Sequence, residues 1–265
     1  MVVSGFRRKK MRPFEKAFDR KALKKAFDED GFVHIKHFFD KRLCEEAIKT
    51  IVNHEISIGE SNSKEAVTET IDGRVLTKYY QGAYGLGTAL RKFFSLQLML
   101  VGSALLDSDE IYFSDLEAHI RNPGGGEIPK HQDNFYFNLK SAKGLTCYIA
   151  LNAHDENSGG LNYIRGSHER VIEHSGSLCA GFSSEIRDET QEFQEKKSLD
   201  IYTPNYSTGD ITLHHANNIH FSKPVEDNLE RRFALSARIF EATEDIDESG
   251  RQRYLRLLQK NRSFK

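Results

Sequence analysis

Residues 130–137 read Lys130-His131-Gln132-Asp133-Asn134-Phe135-Tyr136-Phe137 and stand between two groups of turn-forming residues. Five other segments share the character of this one: each is short, rich in β-branched or aromatic side chains, and bounded by Gly, Asn, Asp or Pro. They are Tyr112–Ile120, Leu145–Asn152, Leu161–Ile164, Asp210–His214 and Arg232–Phe240. Short strands in series with turns between them predict a sandwich, a barrel or a jelly roll.

Helices flank the strand series on its N-terminal side. The pattern predicts a helix over Lys21–Asp28, a strand over Gly31–Lys36, and a second helix over Lys41–His54 with Asp40 as its N-cap. Apolar residues at roughly helical spacing predict one long helix over Gly87–Leu106. The expected fold is therefore mainly β with flanking helices.

One long polar stretch interrupts the strands. Residues Glu173–Tyr206 are irregular, with a helical pattern only at Glu189–Lys197. Loops of this length inside a compact domain are commonly lids or binding loops. We expect this stretch to border a site.

The bulk composition predicts one globular domain over residues 1–265. The chain is 38% hydrophobic, which is enough to bury a substantial core. Its net charge is only −1, yet ten Lys and Arg fall within residues 1–25 and six within residues 251–265. We interpret about 1–20 and 245–265 as basic tails in solvent. No nucleic-acid-binding motif accompanies them, so no nucleic-acid partner is expected.

The sequence gives no indication of membrane insertion or secretion. Its most apolar stretch, Leu96–Leu106, is too short to cross a bilayer, and no apolar region follows the N-terminal basic residues. Cys44, Cys147 and Cys179 are widely separated and odd in number, which is typical of free thiols and not of disulfides or a thiolate zinc site. A cytoplasmic protein with no membrane partner is expected.

A candidate metal site begins in the quoted segment. If residues 130–137 form a strand, His131 and Asp133 project from the same face and can bind one metal ion. The third ligand must come from a distant strand, and His220 is the best candidate. Two imidazoles and one carboxylate leave three coordination positions open, which suits iron(II) with a bidentate keto acid and dioxygen.

The pair alone is weak evidence, because roughly 0.7 His-x-Asp pairs are expected by chance in this composition. A rival pair, His154 and Asp155, falls in a turn-rich run and more naturally ends a strand. His214 and His215 compete with His220 for the third position. His220 is preferred because an arginine follows it at a suitable distance.

That arginine, Arg232, opens a strand whose alternation puts Arg232 and Ser236 on one face with a small residue between them. A fixed guanidinium suits the far carboxylate of 2-oxoglutarate, and Ser222 could add a hydroxyl donor. Arg231 is adjacent, so an error of one position is open.

These residues form an ordered series that resembles the phytanoyl-CoA dioxygenase family of iron(II)/2-oxoglutarate oxygenases. The resemblance covers nearly the whole chain from about residue 22 to 240. The matching segments are Asp28-Glu29-Asp30-Gly31-Phe32-Val33, His131-Gln132-Asp133, Asn157-Ser158-Gly159-Gly160-Leu161, Arg165-Gly166-Ser167-His168, Gly209-Asp210-Ile211, Ile219-His220-Phe221-Ser222 and Arg232-Phe233-Ala234-Leu235-Ser236.

The resemblance implies a double-stranded β-helix core, also called a jelly-roll or cupin-like core. It implies iron(II), 2-oxoglutarate and dioxygen as the reactive set, and hydroxylation of an unactivated C–H with release of succinate and CO2. The residues it implies are the iron and catalytic ligands His131, Asp133 and His220, the co-substrate anchors Arg232 and Ser222, an aromatic against the co-substrate at Tyr148, and the weaker pocket candidates His119 and Arg121.

Two departures from the family pattern concern the pocket. Phe221 stands where relatives often have Gly after the distal histidine, and the interval from His220 to Arg232 is one residue longer than in some relatives. Related halogenases replace the ligand carboxylate with a small residue, so an intact Asp133 favours hydroxylation.

The expected substrate is a small-molecule metabolite or natural product. Two alternatives remain at this point: a catalytically silent jelly-roll binding module, and a zinc hydrolase that uses the same three ligands. Neither needs a carboxylate anchor at Arg232.

Overall fold

The computed structural model describes residues 19–58, 66–177, 184–187 and 199–262. Cys179, every Lys and Arg before position 20 and the helical pattern at 189–197 lie outside the described residues. The helices are α1 (Arg20–Asp30), α2 (Lys41–Ile58), α3 (Thr88–Arg91), α4 (Leu96–Leu106), α5 (Asn134–Phe137) and α6 (Glu248–Arg262). The strands are β1 (Phe32–Ile35), β2 (Val67–Ile71), β3 (Arg74–Tyr80), β4 (Ile111–Arg121), β5 (Ile128–His131), β6 (Gly144–Ala150), β7 (Leu161–Ile164), β8 (Ser175–Gly176), β9 (Ser184–Glu185), β10 (Ile201–Tyr202), β11 (Ile211–His215), β12 (His220–Ser222) and β13 (Arg232–Glu241).

Two antiparallel sheets form the body of the domain. The larger has the order β1-β11-β6-β13-β4-β3-β2, and the smaller has the order β10-β7-β12-β5. Neighbouring strands in each sheet are often far apart in sequence, as in a jelly roll. The expected mainly β, double-stranded β-helix fold with flanking helices is confirmed.

Alternation along the strands separates an apolar layer from a polar one. In β4, Leu116, Ala118 and Ile120 are fully buried in the main hydrophobic cluster, together with residues of α2 and α4. The residues between them, Glu117 and His119, line a cavity on the opposite face. Because side chains alternate with a period of two, one strand supplies both the core and the site.

The predicted long helix over 87–106 is wrong: the chain forms two helices, α3 and α4. Ser95 has extended backbone angles (φ −95°, ψ 149°), and its side chain accepts a hydrogen bond from the Leu98 backbone N–H at 3.1 Å. This cap starts α4, whereas α3 has already ended at Arg91 with Lys92 as its C-cap. By length and a mean hydropathy of 1.3, Thr88–Leu106 could cross a membrane, but Leu98 and Leu105 are buried in the main cluster, which accounts for the apolar character.

The C-terminal basic segment is not a tail in solvent over its whole length. Residues 248–262 form α6, and the Tyr254 ring on this helix lies 6.0 Å from the Phe135 ring and 5.6 Å from the Tyr136 ring, between centroids. The interpretation as a tail rested on charge alone and did not consider Tyr254, which packs against the domain.

Candidate active site

Three side chains from two neighbouring regions converge on one point. The Nε2 atoms of His131 and His220 each lie 3.7 Å from Oδ1 of Asp133. All three donor atoms lie within 4.8 Å of one another. They form the one such metal-competent group found among the described residues.

Strand pairing aligns the two histidines. His131 at the end of β5 is the register partner of His220 at the start of β12, and residues opposite each other in an antiparallel pair project to the same side. The ring centroids are 4.2 Å apart. The structure therefore places His220, from a distant strand, directly opposite His131.

Asp133 reaches the site by a different route from the predicted one. The strand ends at His131, and Asp133 has helical backbone angles (φ −60°, ψ −35°) at the start of α5. The backbone N–H of Asn134 donates to Ala216 O at 2.7 Å, and its side-chain oxygen accepts from the Leu139 N–H at 2.7 Å. These bonds fold 134–137 into a helical turn, so the prediction of a strand over 130–137 is wrong.

Backbone carbonyls fix the tautomers of the two histidines. His131 Nδ1 lies 2.8 Å from Pro129 O, and His220 Nδ1 lies 3.0 Å from Asn218 O. A carbonyl can only accept, so each Nδ1 carries the proton and each Nε2 presents a lone pair. Burial lowers the pKa of His131 to about 3 and that of His220 to about 4, which keeps both imidazoles neutral.

Asp133 is held as a carboxylate with one oxygen already occupied. Its Oδ2 accepts from Thr146 Oγ1 at 2.5 Å and lies 3.2 Å from His214 Nε2. Burial by itself would raise the pKa of Asp133, but His220, His214 and His131 outweigh it and hold that pKa well below the usual value. The other oxygen, Oδ1, faces the two ligand histidines.

The rival histidines occupy other places. His214 also lines the cavity but contacts Oδ2 of Asp133 and is not in the metal-competent group. The His215 ring lies 6.0 Å from the Phe27 ring and 5.4 Å from the His168 ring. His154 is not in the metal group, and Asp155 closes a turn by accepting from the backbone N–H of residues 157 and 158, as the turn interpretation expected.

A cavity of about 380 Å³ contains the three donors. It is lined by residues from both sheets, from α5 and from α6. The lining residues include Tyr79, Gln81, Glu117, His119, Tyr136, Tyr148, Arg232, Ser236, Arg238 and Tyr254.

Arg232 is the buried cation of this cavity, with only 1% of its surface exposed. Its Nη1 donates to the Tyr148 hydroxyl at 2.6 Å, and that hydroxyl lies 2.8 Å from His154 Nε2. His154 Nδ1 lies 2.8 Å from Asn152 O and carries the proton there, so Nε2 accepts from Tyr148. Burial, and then Arg232, lower the pKa of His154 to about 3.

Arg231 is excluded from the cavity. Its Nη2 lies 2.8 Å from Glu55 Oε2, and its Nε donates to Asn122 Oδ1 at 2.7 Å. Alternation along β13 turns Arg231 outward and Arg232 inward. The structure therefore places Arg232, and not its neighbour, inside the pocket.

The remaining predicted pocket residues are arranged as follows. His119 lines the cavity, with Nε2 3.5 Å from Glu117 Oε2. Ser222 is buried, and its hydroxyl accepts from Arg121 Nη1 at 2.5 Å. Arg121 itself is fully buried. Ser222 is therefore tied to Arg121, a contact that the sequence did not indicate.

Sequence analysis missed or undervalued several cavity residues. A strand over 130–137 would put Tyr136 on the face opposite Asp133, but the helical turn brings its ring to 5.9 Å from the His131 ring. Tyr254 lies in the segment that was interpreted as a basic tail, yet it lines the cavity. Tyr79 lies on the hairpin of β2 and β3, which was not predicted, although its turn residues Asp72 and Gly73 are a recognised hairpin signal.

A family model described as phytanoyl-CoA dioxygenase matches residues 27–233. The chain belongs to the phytanoyl-CoA dioxygenase family. The resemblance noted in the sequence is thereby confirmed across most of the phytanoyl-CoA dioxygenase domain.

A curated relative is the probable alpha-ketoglutarate-dependent hypophosphite dioxygenase of Stutzerimonas stutzeri. It is 27% identical over 132 residues, which are 48% of this chain and 44% of that protein. The match thus spans less than half of the relative's length.

Solved structures support the fold. The epimerase SnoN, solved in complex with Fe3+, alpha ketoglutarate and nogalamycin RO, has a TM-score of 0.69 and 18% identity over 86% of this chain and 85% of its own. The alpha ketoglutarate-dependent carbocyclase SnoK from nogalamycin biosynthesis has a TM-score of 0.70 and 17% identity over 87% of each chain. At such identities, the likeness defines the architecture and not the reaction.

Proposed function

We propose that this protein is an iron(II)- and 2-oxoglutarate-dependent oxygenase that hydroxylates a C–H bond of a small molecule. The balanced reaction converts R–H, O2 and 2-oxoglutarate into R–OH, succinate and CO2. One observation carries the proposal: two neutral imidazoles, an ionised carboxylate and a buried arginine line the same cavity.

The three donors fit iron(II). Both imidazoles are neutral and present Nε2, the carboxylate presents Oδ1, and the set leaves room for further ligands. His131, Asp133 and His220 would hold the ion, which would supply dioxygen activation and chelation of the keto acid. Thr146 and His214 orient the carboxylate through its other oxygen.

Arg232 is suited to bind the far carboxylate of 2-oxoglutarate. A buried guanidinium without a carboxylate partner is costly, and a bound dicarboxylate would supply the missing charge. The bond to Tyr148, which is itself bonded to His154, limits the rotation of the guanidinium. This arrangement orients the co-substrate before the substrate enters.

The rest of the cavity indicates a polar substrate. Gln81, Glu117, Ser236 and Arg238 line it, and Arg238 Nη2 lies 2.6 Å from Glu117 Oε1. A ligand with hydroxyl, amine or carboxylate groups can form hydrogen bonds with this polar wall, whereas a purely apolar one would desolvate it without replacing its contacts with water. We infer that the substrate is a small polar metabolite or natural product.

The decisive experiment is a metabolite screen scored by substrate-dependent succinate formation with Fe(II), 2-oxoglutarate and O2. Product mass distinguishes hydroxylation, which adds one oxygen atom, from desaturation or isomerisation. Asp133→Ala should abolish turnover, and Asp200→Ala, which removes an exposed carboxylate, should not.

Anaerobic addition of Fe(II) and 2-oxoglutarate should give a weak visible absorption band in the wild type. No band at saturating concentrations would favour a silent binding module, and activity with zinc but without succinate would favour a hydrolase.

A further inference from the structure

Two arginines stand opposite each other on neighbouring strands: Arg232 lines the cavity, and Arg121 lies fully buried beside it and does not line it. Arg121 on β4 is the direct register partner of Arg232 on β13. Opposed residues of an antiparallel pair have neighbouring Cβ atoms and project to the same face. Arg121 is 0% exposed and Arg232 is 1% exposed, so two guanidinium groups share one buried space.

This pairing is unfavourable unless an anion joins it. Like charges directly opposite each other in a sheet destabilise it, and burial strengthens the repulsion. No ion pair joins either arginine to a carboxylate of the described residues. The Nε and Nη2 atoms of both arginines are buried and have no protein hydrogen-bond partner, which leaves four donor groups unused.

The neighbourhood of Arg121 shows that both charges act on the same part of the cavity. Burial, followed by repulsion from Arg232, lowers the pKa of Arg121 to about 10. Burial raises the pKa of Tyr79 to about 12, while Arg121 and Arg232 both oppose that increase. Tyr79 lines the cavity, so the two cations act on one of its walls.

The hydrogen bonds that Arg121 makes to the protein use only one of its three guanidinium nitrogen atoms. Only Nη1 is engaged, with Ser222 Oγ at 2.5 Å and Gly159 O at 3.3 Å. Because Ser222 accepts this bond, its own hydroxyl proton is free to donate. Arg121, which bonds to Ser222, and its register partner Arg232 therefore hold unused donors on neighbouring strands, and Arg232 lines the cavity.

We propose that Arg121 is a second guanidinium ligand of the far carboxylate of 2-oxoglutarate, acting with Arg232 and Ser222. This inference rests on the proposed function. A carboxylate has about four lone-pair sites and can accept from two guanidinium groups and a hydroxyl at once. The pair selects for a terminal carboxylate, because an uncharged end would leave two buried cations without an anion.

The test compares two keto acids that chelate metal in the same way. 2-Oxoglutarate carries the far carboxylate, and 2-oxopentanoate lacks it. Their dissociation constants are measured by anaerobic calorimetry with Mn(II) in place of iron, for the wild type, Arg121→Met and Arg121→Lys. Arg91→Met is the control, because Arg91 is exposed and its guanidinium bonds to a backbone carbonyl.

Arg121→Met should weaken 2-oxoglutarate binding by about 10- to 100-fold. It should leave 2-oxopentanoate binding nearly unchanged. The ratio of the 2-oxopentanoate dissociation constant to the 2-oxoglutarate dissociation constant should therefore fall sharply. Arg121→Lys should recover part of the ratio, since it keeps the charge and loses the fork. Arg91→Met should match the wild type.

An unchanged ratio in folded Arg121→Met would overturn this inference and leave the proposed function intact. A wild type that does not bind 2-oxoglutarate would end both. If Arg121→Met does not fold, the ratio in Arg121→Lys decides: an unchanged ratio overturns the inference, and a reduced ratio supports it.

Discussion

His214 Nε2 lies 3.2 Å from Oδ2 of Asp133, whereas the other oxygen, Oδ1, faces the candidate ligands His131 and His220. This contact gives His214 a supporting position instead of a ligand position. Replacing the outer partner of a ligand typically weakens metal binding about 10- to 100-fold.

We therefore expect His214→Phe to raise the dissociation constant for Co(II) or Fe(II) by about that factor. His215→Phe is the matched control, since the adjacent imidazole packs near Phe27 and His168 instead. Metal titration followed by cobalt absorption measures both. Equal affinity in the two variants would remove His214 from the support of Asp133.

Tyr148→Phe should weaken 2-oxoglutarate binding about fivefold, the effect of one hydrogen bond of about 1 kcal/mol. It removes the acceptor of Arg232 Nη1 and the donor to His154 while it keeps the ring. Tyr163→Phe also removes a buried hydroxyl, one bonded to Thr212, and should leave co-substrate affinity unchanged. Calorimetry decides, and similar losses in both variants would contradict a specific role for Tyr148.

Gly159→Ala should disturb the arginine pair. A Cβ at this position would lie 2.4 Å from Arg121 Nη1, and the backbone has φ +73°. Gly73→Ala carries the same backbone strain at φ +76° but meets nothing within 4 Å, so it isolates the steric effect. We expect both variants to lose some stability and only Gly159→Ala to lose 2-oxoglutarate affinity, as measured by calorimetry. Retained affinity would show that Arg121 tolerates the intrusion.

Stability should fall as pH falls, because buried histidines are neutral in the folded protein. Burial lowers the pKa of both His154 and His174 to about 3. Unfolding restores a pKa of about 6.5, so the unfolded state binds more protons between about pH 6.5 and 3. Each histidine therefore removes about 1.4 kcal/mol of unfolding free energy per pH unit as pH falls through that window.

Urea unfolding of metal-free protein at several pH values between about 5 and 7.5 measures this slope. His154→Gln should reduce the pH dependence of the unfolding free energy by the contribution of one titrating histidine. An unchanged slope would mean that His154 already accepts a proton in the folded state.

Tyr254→Ala should raise KM for the substrate and leave 2-oxoglutarate affinity unchanged. The Tyr254 ring from α6 lines the cavity beside Tyr136, whereas the adjacent Leu255 is 39% exposed. Leu255→Ala is therefore the control. Steady-state kinetics on the substrate found in the screen tests the prediction, which fails if both variants retain the wild-type KM.

Strand positions and the ligand group were predictable from the sequence, because periodicity and residue type are local signals. The strand over Leu161–Ile164 was predicted at its observed bounds, and β4, β6, β11 and β13 lie within two residues of prediction at either end. The meeting of His131 with His220 was inferred from ligand chemistry and from the family resemblance.

The errors have physical causes that depend on tertiary contacts. Asp133 and Tyr136 follow a helical turn because Asn134 bonds to Ala216 and Leu139, which lie outside the segment that was read as a strand. The break before α4 depends on the Ser95 cap. The pairing of Arg121 with Arg232 depends on strand register across more than a hundred residues, which no local pattern encodes.

Side chains alternate between core and cavity along residues 116–121 of β4 and 232–238 of β13, up to the register shift after Arg238, and this has a consequence for how the protein can be altered. Deleting or inserting one residue in either strand would exchange its two faces. Arginine side chains would then point into the hydrophobic core, and leucine side chains would point into the cavity. Engineering libraries that seek new substrates should therefore vary side chains at fixed strand length and confine changes of length to the connecting loops.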